Sequence, residues 1–208
     1  MSRINILDCT LRDGGYCNAW RFGKGNIAKI ITNLIEANVE IIECGFITNK
    51  ITYSEDVSKY DTFTRTKAFI PQNKGNKMFV CMINYGEYDL GAIPNRTEDT
   101  VDGIRVAFHK KNAEEAMAFC EGLKAKGYQV FVQPMVSMNY TDEEFIALIK
   151  CANKIQPYAF YIVDTFGAMK KKDLTRLFYM VEHNLQEGIS IGFHSHNNYS
   201  FPIPTRRH

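Results

Sequence analysis

The sequence predicts an α/β protein of the TIM (β/α)8 barrel type, and three observations carry that prediction. Seven apolar stretches of strand length alternate with segments of helical period. Several of the strands read as unbroken apolar runs, such as F-V-C-M-I at 79–83 and F-Y-I-V at 160–163. Parallel strands covered on both faces have that composition. Finally, chemistry-bearing residues fall where the first and the seventh strands give way to loops. A barrel brings those two strand ends close, whereas an open sheet leaves them far apart.

Strands are expected over 4–9, 40–46, 77–84, 103–109, 129–136, 159–165 and 189–194. Between them run amphipathic stripes. Ile27, Ile30, Ile31, Leu34 and Ile35 share one helix face, and Ala116, Phe119, Cys120 and Leu123 share another. Thr141 and Glu144 form a T-x-x-E capping box ahead of Phe145, Leu148 and Ile149. Leu174, Leu177, Phe178 and Val181 make the last stripe. The segment 48–66 is polar and aromatic, the composition of a short helix or a lid loop. The segment 84–102 carries Gly86, Gly91, Pro94 and Asn95 and reads as loop with one weak helix.

A chain of 208 residues with 45% apolar content can bury one substantial core. Its 25 basic and 23 acidic residues give a net charge of +2 without long single-sign runs. Nothing in that balance marks a nucleic-acid or anionic-membrane partner. Lys170, Lys171 and Lys172 read as a solvated face. No apolar stretch approaches membrane-spanning length, and the six dispersed cysteines include no C-x-x-C. They read as small buried hydrophobes in a reducing compartment, and the protein as cytoplasmic.

Two motifs carry the chemistry. The first strand closes on D-C-T-L-R-D-G-G at 8–15, and the seventh on G-F-H-S-H-N-N at 192–198. Asp13, His194 and His196 are residue types that hold first-row divalent cations, and Arg12 offers a fixed positive charge to an oxyanion. His194 and His196, at i and i+2 on a strand, point to one face. Asp8 reads as a loop brace, Asn197 and Asn198 as loop-forming or supporting residues. His183 reads as a surface residue, and His208 is terminal.

In these motifs, and in I-E-C-G-F at 42–46 and V-D-T-F-G-A-M at 163–169, the chain resembles the metal-dependent lyases and condensing enzymes with a TIM barrel. This group, the DRE-TIM metallolyases, is resembled most closely in its aldolase branch. The resemblance implies a divalent metal, Mn²⁺ or Mg²⁺ with Zn²⁺ or Co²⁺ as alternatives, held by Asp13, His194 and His196. It implies Arg12 facing an enolate oxygen, Thr165 holding a substrate carboxylate, and Glu43 in the polar layer under the metal. The substrate it implies is a small 2-keto or 2-hydroxy acid. The reaction it implies is retro-aldol cleavage of a 4-hydroxy-2-keto acid to a pyruvate-like enolate. A Claisen-type condensation of an acyl-CoA with a 2-keto acid, or an incomplete barrel that only binds metal or a partner, are the alternatives.

Two departures from the family pattern stand out. Where the bacterial aldolases carry a histidine shortly after the metal aspartate, the nearest match is Tyr16. Tyr16 and His109, which ends the fourth strand and reads equally as a structural histidine, are the candidate proton carriers. After His196 only 12 residues follow, with Pro202 and Pro204 where a helix is expected. The sequence therefore predicts seven strands without the last βα unit: a barrel domain over 1–198 and an atypical tail over 199–208. Such an open edge invites a second copy or a partner chain.

Overall fold

The structure, a computed structural model, describes residues 4–72 and 74–196. In chain order its elements are β1 (Leu7–Asp8), α1 (Thr10–Asp13), α2 (Lys24–Glu36), β2 (Ile41–Ile47), β3 (Lys59–Tyr60) and β4 (Met78–Asn84). Then come β5 (Gly103–Phe108), α3 (Ala113–Ala125), β6 (Gln129–Pro134), α4 (Asp142–Ile155), β7 (Ala159–Asp164), α5 (Lys171–Asn184) and β8 (Ser190–Ser195). The strands form one sheet in the order β1-β2-β4-β5-β6-β7-β8, with the short β3 added to β2. All of its ladders are parallel. The sheet curls as a TIM-type half-barrel, as the sequence predicts, with helices on its outer face.

Six of the seven predicted strands are present to within two residues at either end. The first shrinks to Leu7–Asp8, because Cys9 starts the helical turn that carries Arg12 and Asp13. The segment 48–66 holds no α-helix; it supplies β3 and the start of a 3-10 turn over Phe63–Ala68. The weak helix expected in 84–102 is a single 3-10 turn, Leu90–Ala92. Neither segment carries an amphipathic stripe long enough to fund an α-helix by burial. The Thr141 capping box is formed as expected. Tail residues 199–208, with Asn197, Asn198 and His208, lie outside the described residues.

The helix stripes land on the core. Ile27 and Ile31 of α2, Ala116, Phe119, Cys120 and Leu123 of α3, and Phe145, Leu148 and Ile149 of α4 are buried against the sheet's outer face. Leu177 and Val181 do the same from α5, whereas Phe178 is exposed. Three cysteines (Cys44, Cys81, Cys120) are buried as expected, but Cys17 and Cys151 are exposed and Cys9 is half-buried. Asp8 accepts hydrogen bonds from the Thr10 backbone and hydroxyl, bracing the first loop. No helix among the described residues is long and apolar enough to cross a membrane.

The concave face is layered. An apolar floor joins Ile41, Val80, Phe131, Ala159, Tyr161 and Val163. A charged belt follows, made by Glu43, Arg105 and Gln133 two residues further along their strands. Nearest the carboxyl ends lie Phe46, Met82 and Ala107, with Trp20 and Met135 packed on them. Glu43 and Phe46 both face inward although three residues apart, because the β2–β4 register shifts between them. Gly45 makes the bulge possible: its φ is +143°, and a Cβ there would lie 2.0 Å from the Ser58 carbonyl oxygen.

Candidate active site

The carboxyl ends of the first and last strands meet at one cluster. Asp13, His194 and His196 each offer a ligand atom, all within 4.8 Å of one another. Nε2 of His196 lies 2.9 Å from Asp13 Oδ2, and Nε2 of His194 lies 3.7 Å from that same oxygen. The i, i+2 spacing turns both imidazoles to one side of β8, their rings perpendicular with centroids 4.7 Å apart. His196 donates from Nδ1 to the Asp164 carbonyl (3.0 Å), which leaves Nε2 aimed at Asp13.

Electrostatics hold one of the two imidazoles uncharged. Burial, with the Arg12 and Arg105 guanidiniums behind it, pulls His194 down to about 3, so its imidazole is neutral at pH 7. Its Nε2 is buried and has no hydrogen-bond partner among the described residues. Two imidazole nitrogens and one carboxylate oxygen converging on one point form a donor set that could hold a cation. Neighbouring ligands on one ion with bonds of about 2.1 Å sit about 3 Å apart; His196 and Asp13 are at 2.9 Å, and His194 is wider at 3.7 Å. One carboxylate and two imidazoles on one side of an ion leave its remaining positions open.

Arg12 stands beside this cluster. It donates from Nη1 to Asp13 Oδ1 (2.5 Å) and from Nε to Glu43 Oε2 (2.9 Å), while its buried Nη2 has no partner among the described residues. Burial works against its charge, but Glu43 and Asp13 more than offset that and raise its pKa. Glu43, fully buried, also accepts from Arg105 Nη1 (2.6 Å), and Arg105 Nη2 reaches Gln133 Oε1 (3.2 Å). Glu43 thus lies beneath the cluster, facing two guanidiniums.

The other expected residues are more dispersed. Thr165 follows β7, half-buried, and its hydroxyl oxygen accepts from the Val136 N–H (2.8 Å), leaving its own proton to donate. Tyr16 is exposed, its ring edge-on to Trp20 at 4.8 Å. Burial raises its phenol above the ordinary value, with Arg12 opposing. His109 follows β5 and is exposed, with no side-chain hydrogen bond among the described residues.

Sequence reasoning passed over Arg105, Gln133, Trp20 and Lys59. The signal for the first two was present: a charged and an amide side chain at inward positions of otherwise apolar strands, in G-I-R-V-A-F and V-F-V-Q-P.

Residues 99–204, just over half of the chain, match the HMGL-like family profile. The chain belongs to the HMGL-like family. Among curated relatives, an oxaloacetate decarboxylase of Mycobacterium tuberculosis is 24% identical over 95% of this chain and 58% of its own length. A 4-hydroxy-2-oxovalerate aldolase of Geobacillus thermodenitrificans is 25% identical over 96% of this chain and likewise 58% of its own. This HMGL-like chain therefore spans little more than half the length of those relatives. Among solved structures, the N-terminal domain of a Bacteroides vulgatus protein assigned as an aldolase superposes with a TM-score of 0.75 at 25% identity. That match covers 94% of this chain and 65% of the other. A carboxyl transferase domain of Rhizobium etli pyruvate carboxylase shares the fold, with a TM-score of 0.68 at 17% identity over 93% of this chain and 36% of that one.

Proposed function

We propose that this HMGL-like chain is a divalent-metal-dependent carbon–carbon lyase that cleaves a 4-hydroxy-2-keto acid to an aldehyde and a pyruvate-like enolate. The convergence of Asp13, His194 and His196 beside Arg12 carries this reading. Mn²⁺ or Mg²⁺ suits the reading best, with Zn²⁺ or Co²⁺ as alternatives; a cation held there would supply Lewis-acid polarisation of the 2-keto oxygen.

The protein's own groups do the rest. As the C3–C4 bond breaks, its electron pair moves toward C2 and the negative charge gathers on the C2 oxygen. Arg12 meets that charge with its unpartnered Nη2, held by Glu43 on one side and Asp13 on the other. A guanidinium cannot surrender its proton at neutral pH, so the charge is constant. Thr165 donates its hydroxyl proton to the substrate carboxylate. His109 takes the 4-hydroxyl proton as that oxygen becomes the aldehyde carbonyl. Tyr16, held protonated by its raised pKa, gives a proton to the enolate carbon.

Loss of a carboxylate from C3 leaves the same enolate, and similarity to an oxaloacetate decarboxylase supports testing both bonds. The test measures pyruvate release from a panel of 4-hydroxy-2-keto acids and from oxaloacetate, with Mn²⁺ and with chelator. Wild type is expected to turn over only with metal, and Asp13→Asn to stay at the metal-alone background. Equal rates for the two proteins on every substrate remove the proposal.

A further inference from the structure

The rim of the site carries a cation with no part in the chemistry so far. In the β2–β3 ladder Lys59 is in register with Phe46, and Tyr60 with Ile47. Side chains alternate along a strand. Tyr60 and Ile47 join the outer core, so Lys59 faces the concave side with Phe46. Its Nζ lies 3.4 Å from the centroid of the Trp20 ring and 5.8 Å from that of Phe46. The Arg12 guanidinium carbon is 6.0 Å from the same Phe46 centroid. Two cations thus share one aromatic wall: Arg12 deep beside the ligand cluster, Lys59 at the mouth.

Lys59 is half-buried and makes no ion pair or hydrogen bond among the described residues. Burial lowers its pKa, opposed by the charge of Glu87. Its support is elaborate for a lone surface amine. Trp20 donates from Nε1 to the Arg12 carbonyl (2.7 Å), and its own carbonyl accepts from the Ser58 N–H (3.1 Å) next to Lys59. Ala19 and Trp20 both hold left-handed backbone, φ +53° and +60°, a strain that persists only where surrounding contacts over-determine it. Gly15 gives the indole its seat, since a Cβ there would lie 2.1 Å from the ring. A partly desolvated ammonium parked on a ring gains most from an incoming anion, and its flexible stem lets it move to meet one.

We propose that Lys59 determines specificity by binding a second anionic group of the substrate. The ligand class is a 2-keto dicarboxylic acid: its keto-acid head goes to Arg12 and the Asp13 cluster, its distal carboxylate to Lys59. This rests on the lyase reading above.

L-malate and L-lactate test it, because both present a 2-hydroxy acid head and only malate has a distal carboxylate. Trp20 is the only tryptophan in the chain and lies under the Lys59 amine, so its fluorescence reports the rim directly. Each acid is titrated into the Mg²⁺-loaded protein by Trp20 emission and by calorimetry. Wild type is expected to bind malate at least tenfold tighter than lactate. Lys59→Met should raise the malate Kd about tenfold or more and move the lactate Kd less than twofold; Lys59→Arg should retain most of the preference. Equal binding of the two acids by wild type, or equal loss of both in Lys59→Met with its thermal stability intact, overturns the assignment of Lys59 alone. No binding of either acid by wild type overturns the lyase reading, and this inference with it.

Discussion

Glu43→Gln is the perturbation that probes the charged belt most directly. Glu43 Oε2 holds two guanidiniums at once, Arg12 at 2.9 Å and Arg105 at 2.6 Å, and all three side chains are 5% exposed or less. Glutamine keeps the shape and one acceptor oxygen but removes the negative charge, so two buried cations face each other with no counter-charge between them. Breaking a buried pair from one side costs about 3–5 kcal/mol, because the surviving charge stays desolvated. For a domain of this size each kcal/mol lowers Tm by roughly 2–4 °C, so a fall of about 6–20 °C is expected. Thermal unfolding followed by circular dichroism without metal reads it. The double variant Glu43→Gln, Arg105→Met should recover part of the loss by removing one stranded cation. A single variant within about 1 kcal/mol of wild type, or a double variant worse than both singles, would refute the role given to this belt.

Other consequences are as direct. Saturating Mn²⁺ at about 100 times its Kd should stabilise the fold by about 2.7 kcal/mol, seen as a Tm rise that Asp13→Asn or His196→Ala abolishes and chelator reverses. Asp102 is buried, yet hydrogen bonds from Lys74 Nζ, the Phe79 N–H and Arg96 outweigh that and hold its pKa below the ordinary value. Its contribution is therefore full above the unfolded value of about 4 and is lost as pH falls through the lower folded value. Wild-type Tm should drop more steeply between about pH 5 and 3 than that of Asp102→Asn, in an acid series of melts. Thr141→Ala removes the oxygen that caps α4 at Glu144 N and should cost about 1 kcal/mol in urea unfolding, with the m-value unchanged.

What could be read from the sequence was what periodicity and motif spacing record. Continuous runs such as F-V-C-M-I announced β4 because both of its faces are covered, and the stripe from Ile27 to Ile35 announced α2 because it has one dry side. The Asp13, His194 and His196 cluster was legible because the aspartate follows the first recognisable strand and the two histidines close the last one read from the sequence. β3 was not, since two residues pair with β2 only after the bulge at Gly45 brings Ser58 within reach. Nor was the Lys59–Trp20 contact, which joins the loop carrying Trp20 to β3 through a backbone bond from Ser58 that no local pattern encodes. Arg105 was hidden by its neighbours: in a run that reads as buried strand, a single charge looks like an interruption until its partner 62 residues away is known.

The His196–Asp13 contact spans 183 positions of the chain, from the opening turn to the last described strand. The aspartate leaves the ribosome long before its two imidazole partners, so the three ligand atoms converge only after every strand between β1 and β8 has been laid down. A chain lacking β8 keeps the carboxylate and Arg12 but holds no imidazole beside them.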